Sequence, residues 1–258
     1  MNKIITFSRY LKDFLKNRQF IFVLSAIKYE ILGRTTSKHR MYKSDLGLFF
    51  SRKGTLDFQF ANIAYEWNVK QYMLKNYHNN TTFLDLGANI GTYSILLGQK
   101  GLKCFAVEAV ESNFRAMNIN ILLNQLESQI KTYNVCLGET VGEASFIFDP
   151  INTGASHIAG NGEKGILTKV NMKPLDALIH EFGLDPKENI LIKMDVEGME
   201  TAVINGGAKF LSTYPNIHLI MESDHTGTEQ IKKTLNKYAK FKYYEIDNLN
   251  IAAVKINE

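Results

Sequence analysis

An acidic residue and two glycines directly follow an apolar run in the segment FLDLGANIGTYS, residues 83–94. The run FLDL indicates a buried strand, and the residues after Gly91 have helical spacing. A turn of this kind is where α/β proteins hold phosphates or nucleosides. The dinucleotide pattern Gly-x-Gly-x-x-Gly is absent, because Asn89 and Thr92 stand where glycines are needed, and no Gly-Lys-Ser/Thr of a phosphate loop follows. The turn therefore favours a nucleoside ligand, with plain strand-to-helix packing as the alternative.

A second acidic residue, Glu108, ends the apolar run KCFAVE. A carboxylate at that strand end can accept hydrogen bonds from both ribose hydroxyls of a nucleoside bound beside the first turn. Such an acid is common to several classes of nucleoside site. It supports a bound nucleoside without naming which one.

Three carboxylates, Asp195, Glu197 and Glu200, lie close together in LIKMDVEGMETAVINGGAKFL, residues 191–211. Burying all three beside a hydrophobic strand would be costly, so at least one is expected to face a cation, a donor or solvent. The alternative for Glu197 and Glu200 is a structural one, in which they favour the N-terminal dipole of the next helix.

Four side chains are predicted to meet at one edge of the sheet: Asp195, Glu222, His225 and His157. Asp195 and Glu222 end neighbouring strands, His225 follows in SDHTG, and His157 lies in the loop GASHIAG. One interpretation is a divalent metal site for Fe, Mn or Mg, with Asp195, Glu222 and His225 as ligands. In a second, Asp195 or a histidine is a metal-free general base. In a third, neither histidine takes part.

The elements that must position these residues alternate regularly after Thr81. Strands FLDLG, KCFAVEA, KTYNVCLG, NILIKMDVEG and NIHLIMES are separated by segments with helical periodicity, and strands YYEID and NIAAVKI close the chain. This order predicts an α/β fold with a doubly wound, mostly parallel sheet covered on both faces. The break at 139–165 predicts a short hairpin, GEASFIFD, and a flexible loop.

The first 60 residues have a different pattern. Apolar spacing over 4–32 predicts one or two amphipathic helices that end at Gly33, and 46–63 suggests a hairpin with its turn at Lys53-Gly54. We therefore expect an N-terminal helical and hairpin appendage, 1–60, and a main domain, 61–258.

Charge is uneven along the 258 residues, whose net charge is +4. Residues 1–43 contain ten Lys or Arg against Asp13 and Glu30. This asymmetry suits an acidic partner, whether a membrane surface, a nucleotide-linked substrate or the acidic face of another subunit, or else a solvated amphipathic helix. The apolar run FIFVLSAI is too short to span a bilayer and has no signal-peptide cleavage pattern, which predicts a cytoplasmic protein without a transmembrane segment.

The segment DLGANIG resembles the first motif of class I S-adenosylmethionine-dependent methyltransferases, with Asp85, Gly87, Asn89 and Gly91 at its acid, glycine and asparagine positions. Together with EAVESNFRAMNINILLN, LDALI and IKMDVEGMETAVINGGAKFL, it resembles the FkbM family over about residues 80–224. The resemblance implies a Rossmann-like, seven-stranded sheet. One departure is Ala109, where the family usually has proline after the acid.

The resemblance implies S-adenosylmethionine as cofactor and O-methylation of a sugar or nucleotide-activated sugar, in glycan or capsule polysaccharide biosynthesis. The expected cofactor-binding residues are Asp85, Gly87, Ala88, Asn89, Gly91, Thr92, Tyr93, Glu108, Ala109, Asn113 and Asp195. In this interpretation Asp85 binds the ammonium of the cofactor's methionine part, directly or through water. A protein, lipid or natural-product substrate is the alternative, as is an inactive scaffold. No NPPY-like or PC-type motif of nucleic-acid methyltransferases occurs, so no nucleic-acid partner is expected. The N-terminal helices are a candidate surface for a homo-oligomer.

Overall fold

The structure is a computed structural model that describes residues 3–158 and 166–256. The helices in these ranges are α1 Lys3–Lys16, α2 Phe20–Leu32, α3 Asp57–Phe60, α4 Trp67–Asn76, α5 Thr92–Gly98, α6 Glu111–Leu123, α7 Leu175–Phe182, α8 Glu200–Gly206, α9 Ala208–Thr213 and α10 Thr228–Leu235, with 3-10 turns at Tyr77–Asn79 and Thr153–Ala155. The strands are β1 Arg40–Ser44, β2 Gly47–Ser51, β3 Thr82–Leu86, β4 Lys103–Glu108, β5 Ile130–Asn134, β6 Cys136–Gly138, β7 Gly142–Phe148, β8 His157–Ile158, β9 Ile166–Pro174, β10 Ile190–Met194, β11 Ile217–Glu222, β12 Phe241–Glu245 and β13 Asn250–Lys255.

The central sheet has seven strands in the order β12-β13-β11-β10-β3-β4-β5. Only β13 runs against its neighbours; the pairings from β11 through β5 are all parallel. Every residue of β3 and β10 is buried, as expected for central strands covered by helices on both faces. The predicted Rossmann-like, mostly parallel seven-stranded fold is confirmed.

The strand order reverses between β3 and β10. From β3 the chain moves outward through β4 and β5, then returns to place β10 on the other side of β3 and β11 beyond it. The carboxyl ends of β3 and β10 therefore border the crevice in which doubly wound folds bind ligands.

A second sheet, which the sequence analysis missed, replaces the hairpin predicted within GEASFIFD. That segment is the single strand β7, and it pairs antiparallel with β9, residues 166–174, in a four-stranded sheet of order β6-β9-β7-β8. The run KTYNVCLG is also two strands, because β5 joins the central sheet and β6 joins the second one. The flexible loop predicted within 139–165 contains a 3-10 turn at Thr153–Ala155 and β8, and 159–165 lie outside the described residues.

The first 60 residues contain the predicted helices and a hairpin, but the hairpin lies earlier than expected. Strands β1 and β2 pair through a turn at residues 45 and 46, and not at Lys53-Gly54. Asn120 of α6 and Asn124, directly after this helix, hold β2: Asn120 Oδ1 accepts from the Phe50 N–H at 2.7 Å, and Asn124 Oδ1 accepts from the Leu48 N–H at 3.0 Å. These contacts tie the N-terminal segment to α6, which connects β4 and β5.

The N-terminal segment shares one hydrophobic core with the sheet. Phe14, Phe22, Tyr42 and Phe58 form an aromatic cluster, and the same core continues into residues of β3 to α6. A domain boundary at residue 60 stays a prediction. Among the helices that the structure describes, none is long and apolar enough to cross a membrane.

Candidate active site

A cavity lies at the carboxyl ends of β3, β4 and β10. Its space, counted together with the open solvent at its mouth, is about 910 Å³. Ten of the eleven expected cofactor residues line it: Asp85, Gly87, Ala88, Asn89, Thr92, Tyr93, Glu108, Ala109, Asn113 and Asp195. Gly91 is not part of its wall.

Packing within the protein explains the two glycines of the first turn. Gly87 has φ +88°, and a Cβ there would lie 1.8 Å from the carbonyl oxygen of Asp195, so only glycine lets the ends of β3 and β10 approach. Gly91 has φ +83°, and its Cβ would lie 2.9 Å from Met117 Cγ. The glycines therefore shape the cavity by letting strand ends and helices come together.

Asp85 fixes the start of α5. Its Oδ2 accepts hydrogen bonds from the Ser94 N–H at 3.0 Å and the Ser94 hydroxyl at 2.6 Å. Burial raises the pKa of Asp85 to about 6, although the two Ser94 hydrogen bonds and Lys193 oppose the rise. Its expected contact with a bound ammonium group stays a prediction.

Glu108 holds two loops together at the cavity wall. Its Oε2 accepts from the Asn89 N–H and its Oε1 from the Val110 N–H, both at 2.8 Å. Burial raises the pKa of Glu108 to about 7, against the effect of these hydrogen bonds. A carboxylate has acceptor capacity beyond two bonds, so Glu108 can also receive hydroxyl donors from a ligand.

Arg52, from the end of β2, braces the same wall. Its guanidinium forms a bidentate pair with the buried Asp57, at 2.7 and 2.8 Å, and donates to Asn113 Oδ1 at 3.0 Å and Thr153 Oγ1 at 3.2 Å. No local sequence pattern predicts a role for Arg52, because its partners Asn113 and Thr153 lie far from it along the chain. The segment after it supplies further wall residues, namely Phe60, Tyr65 and Glu66.

Lys193 is a fully buried cation at the cavity wall, and the sequence analysis did not assign it a role. Its Nζ donates to Asp195 Oδ2 at 2.8 Å and lies 3.6 Å from Glu66 Oε1. The Tyr93 hydroxyl donates to the other Glu66 oxygen at 2.8 Å. The carboxylates of Asp195 and Glu66 raise the pKa of Lys193 despite its burial, so the ammonium stays charged. The sequence signal for a buried cation is a lysine within the otherwise apolar run ILIKM.

Asp195, a residue of the cavity wall, has one carboxylate oxygen without a partner: its Oδ1 is buried and forms no hydrogen bond with the described residues. Although burial opposes ionisation, Lys193 and the neighbouring Glu222 keep the pKa of Asp195 below its usual value. Burial and the nearby Asp195 carboxylate raise the pKa of Glu222 to about 10, so Glu222 retains its proton at neutral pH.

These residues fit a cationic nucleoside. Besides Asp195 Oδ1, the buried Asn89 Oδ1 has no partner among the described residues, and both groups line the cavity. Two buried acceptors suit a ligand with positive charge and donor groups. Glu108 adds an acceptor for the ribose hydroxyls.

A family model for the methyltransferase FkbM domain matches residues 85–248. The chain belongs to the FkbM methyltransferase family. The resemblance seen in the sequence is thereby confirmed, together with its class I, S-adenosylmethionine-dependent character. No curated protein sequence matches this FkbM chain significantly.

Solved structures that resemble this FkbM protein share little sequence with it. The M. jannaschii tRNA m1G37 methyltransferase is 15% identical, with 86% of this chain and 57% of that one covered and a TM-score of 0.45. The PH0226 protein from Pyrococcus horikoshii OT3 is 10% identical, with 84% and 95% covered and a TM-score of 0.46. An O-methyltransferase from Bacillus cereus in complex with SAH is 13% identical, with 73% and 80% covered and a TM-score of 0.42.

The predicted catalytic and metal residues are only partly brought together. Asp195 lines the cavity, whereas Glu222, His225 and His157 do not appear in its wall. His157 belongs to β8 and pairs through its backbone with Ile147 in the second sheet. The FkbM domain thus offers one of the four predicted catalytic side chains directly to the cavity.

The third side chain beside Asp195 and Glu222 is Glu197, whereas His225 was expected as the third metal ligand. Carboxylate oxygens of Asp195, Glu197 and Glu222 lie within 4.8 Å of one another, as in a group that can hold a metal ion. His225 Nε2 instead lies 3.0 Å from Glu197 Oε2. Burial and the Asp195 charge raise the pKa of Glu197. A divalent ion here would compete with the Lys193 ammonium for Asp195 and would have to displace the proton of Glu222.

Proposed function

We propose that this protein methylates a hydroxyl of a sugar or a nucleotide-activated sugar, with S-adenosylmethionine as methyl donor and Asp195 as proton acceptor. The observation that carries this proposal is the buried, unpartnered Oδ1 of Asp195 in the cavity wall. It supports an ionised acceptor beside the reacting hydroxyl.

The two turns after β3 and β4 are proposed to hold the cofactor. Glu108 would accept the ribose hydroxyls, Asn113 would border the adenine side, and Asn89 and Asp85 would face the methionine part. When bound, S-adenosylmethionine supplies an electrophilic methyl group on a sulfonium centre. The residues of the chain then contribute position and charge, which can account for much of the rate of such a transfer.

Asp195 is proposed to hold the acceptor hydroxyl and take its proton. Lys193 keeps Asp195 ionised and fixes Oδ2 at 2.8 Å, so that only Oδ1 remains for the substrate. The rotation of the carboxylate is thereby restricted, and the hydroxyl oxygen is directed by one hydrogen bond. S-adenosylmethionine would supply the methyl by breaking its methyl–sulfur bond, and Oδ1 of Asp195 would take the proton that the methylated hydroxyl loses.

A sugar as substrate is supported by the polar groups at the same cavity. Thr153, Ser156 and Glu197 line it, and hydroxyl and carboxylate groups match the donors and acceptors of a sugar. The FkbM resemblance favours the same class. Proteins, lipids and natural products that expose a hydroxyl are the alternative substrates.

The proposal can be tested by methyl transfer from methyl-labelled S-adenosylmethionine to UDP-glucose, GDP-mannose, dTDP-rhamnose and the corresponding free sugars. We expect label in the sugar part, on oxygen, as located by mass spectrometry. Binding of S-adenosylhomocysteine without transfer to any sugar would indicate a protein, lipid or natural product as the substrate. No binding of S-adenosylhomocysteine would indicate that the protein is an inactive scaffold. The same assay with EDTA and with added Mg²⁺, Mn²⁺ or Fe²⁺ tests whether Asp195, Glu197 and Glu222 use a metal.

The pH dependence distinguishes Asp195 from Glu197 as proton acceptor. The lowered pKa of Asp195 keeps it ionised across neutral pH, whereas the pKa of Glu197 is about 7. With both substrates saturating, we expect kcat to change less than about twofold between pH 6 and pH 8. A kcat that falls as the pH drops through 7 would assign the proton to Glu197.

A further inference from the structure

Helix α2 exposes a row of large apolar side chains. Phe20, Leu24, Ile27 and Ile31 are 60%, 63%, 40% and 73% exposed, and their spacing of three and four places them on one helical face. Ile21 and Leu32, in the adjacent row, are 40% and 61% exposed. We call these six residues the apolar face of α2.

The opposite side of α2 packs against the hydrophobic core. Phe22 is fully buried against Phe14, Tyr42 and Phe58, and Ala26 is buried beside them. The apolar face therefore contributes nothing to the core that the structure describes. A contiguous exposed apolar surface of this kind marks a binding surface.

Exposed basic residues surround this face. Arg18 precedes α2, Lys28 lies beside the apolar row, and Arg34 and Lys38 follow the helix. Between residues 7 and 43 the exposed acidic residue is Glu30, because Asp13 is buried and accepts hydrogen bonds from Tyr42 and Asn17. The surface therefore presents positive charge and hydrocarbon together.

We propose that α2 docks on the surface of an anionic lipid bilayer, with the apolar face in the headgroup and acyl boundary and the four basic residues against lipid phosphates. A helix with 13 residues spans about 20 Å, too short to cross a membrane but suited to lie in its interface. Charge complementarity selects this occupant. In a symmetric pair of chains, the same basic surface would face itself, and like charges would oppose the contact.

Flotation of the full chain with vesicles tests the proposal. The vesicles are pure phosphatidylcholine, or phosphatidylcholine with about 30% phosphatidylglycerol. We expect binding to the anionic vesicles, at least about tenfold weaker binding to the neutral ones, and loss of binding at 0.5 M NaCl, because juxtamembrane basic residues act through the surface potential.

Two variants separate the roles of charge and hydrocarbon. Replacing Arg18, Lys28, Arg34 and Lys38 with Gln should lower partitioning to anionic vesicles at least about 100-fold, since each basic residue contributes about fivefold. The matched control replaces four exposed lysines elsewhere, Lys100, Lys131, Lys233 and Lys237, with Gln and should retain most of the binding.

The apolar variant is Leu24→Ser, Ile27→Ser and Ile31→Ser together, which should also abolish flotation. Near-ultraviolet circular dichroism and S-adenosylhomocysteine binding check that each variant is folded. Absence of vesicle binding by the unmodified chain, or equal binding by the basic variant and its control, would overturn the proposal. A dimer in solution that the apolar variant dissociates, without vesicle binding, would overturn it too and give the face to a second copy.

Discussion

The cavity wall and the outer side of α2 are opposite exceptions to the rule that charged side chains are exposed and apolar side chains are buried. In the cavity wall, charged side chains such as Lys193 and Glu108 are buried, and on α2 large apolar side chains such as Leu24 are exposed. Each buried charged group contacts an oppositely charged side chain or a hydrogen-bond donor within the protein. The apolar side chains on α2 have no such partner within the core. The difference indicates that the cavity is organised for a small ligand, whereas α2 is organised for a surface outside the chain.

The strongest test of the cavity side of this comparison is Asp195→Asn, which keeps the shape of the side chain and removes its charge. We expect kcat for methyl transfer to fall about 10² to 10⁴-fold, the usual contribution of a general base. S-adenosylhomocysteine affinity, measured by calorimetry, should change far less than kcat. Unchanged kcat would remove Asp195 from the reaction. Glu200→Gln, in the same segment but outside the cavity wall, is the control.

The buried cation is tested by Lys193→Met, which keeps an unbranched side chain one heavy atom shorter and removes the charge. The variant leaves Asp195 and Glu66 without their cation, and breaking a buried pair in this way costs about 3 to 5 kcal/mol of unfolding free energy. Without the cation, the pKa values of both carboxylates should rise, so that protonation at pH 5 relieves the unpaired buried charge that remains at pH 8. The loss of unfolding free energy should therefore be greater at pH 8 than at pH 5. Urea unfolding at both pH values measures it.

The exposed Lys131→Met is the matched control for Lys193→Met and should alter stability by no more than about 0.5 kcal/mol. If both lysine variants lost the same stability, the buried charge network would not be the cause.

A smaller effect is expected for Glu108→Gln. The amide cannot accept from both ribose hydroxyls while it holds the backbone N–H groups of Asn89 and Val110, so S-adenosylhomocysteine affinity should fall about 10 to 100-fold. Calorimetric titration measures the change. The exposed Glu111, which pairs with Arg115 on α6, provides the control Glu111→Gln. Equal affinity in the two variants would contradict a ribose contact at Glu108.

The smallest effect concerns the apolar face of α2. Leu24→Ser should leave the free energy of unfolding within about 0.5 kcal/mol, because the side chain is 63% exposed. Phe22→Ala, two residues earlier and fully buried, should cost about 3 to 5 kcal/mol. Thermal or urea unfolding of both variants measures this contrast. A large loss from Leu24→Ser would mean that the face is packed within the protein after all.

The local sequence was sufficient for much of the architecture. The alternation of apolar strands with helical segments predicted the parallel sheet, because each strand must be covered on both faces. It also placed Asp85, Glu108 and Asp195 at carboxyl strand ends, which is where these three residues lie. The second sheet was missed because β9 carries polar and charged residues at alternate positions and is half exposed, so its apolar signal is weak.

By itself, the sequence determined the strand ends, the glycine turn and the family, because these depend on short-range patterns and on spacing along the chain. Only the tertiary structure decided which distant groups share the cavity. Arg52, Glu66 and Lys193 come from separate segments, and their pairing depends on strand order and helix packing that no local pattern records. The same holds for Glu197, which has a φ of +49° and joins Asp195 and Glu222 where His225 was expected as the third ligand. Burial then sets the charge state of each group, and burial exists only in the folded chain.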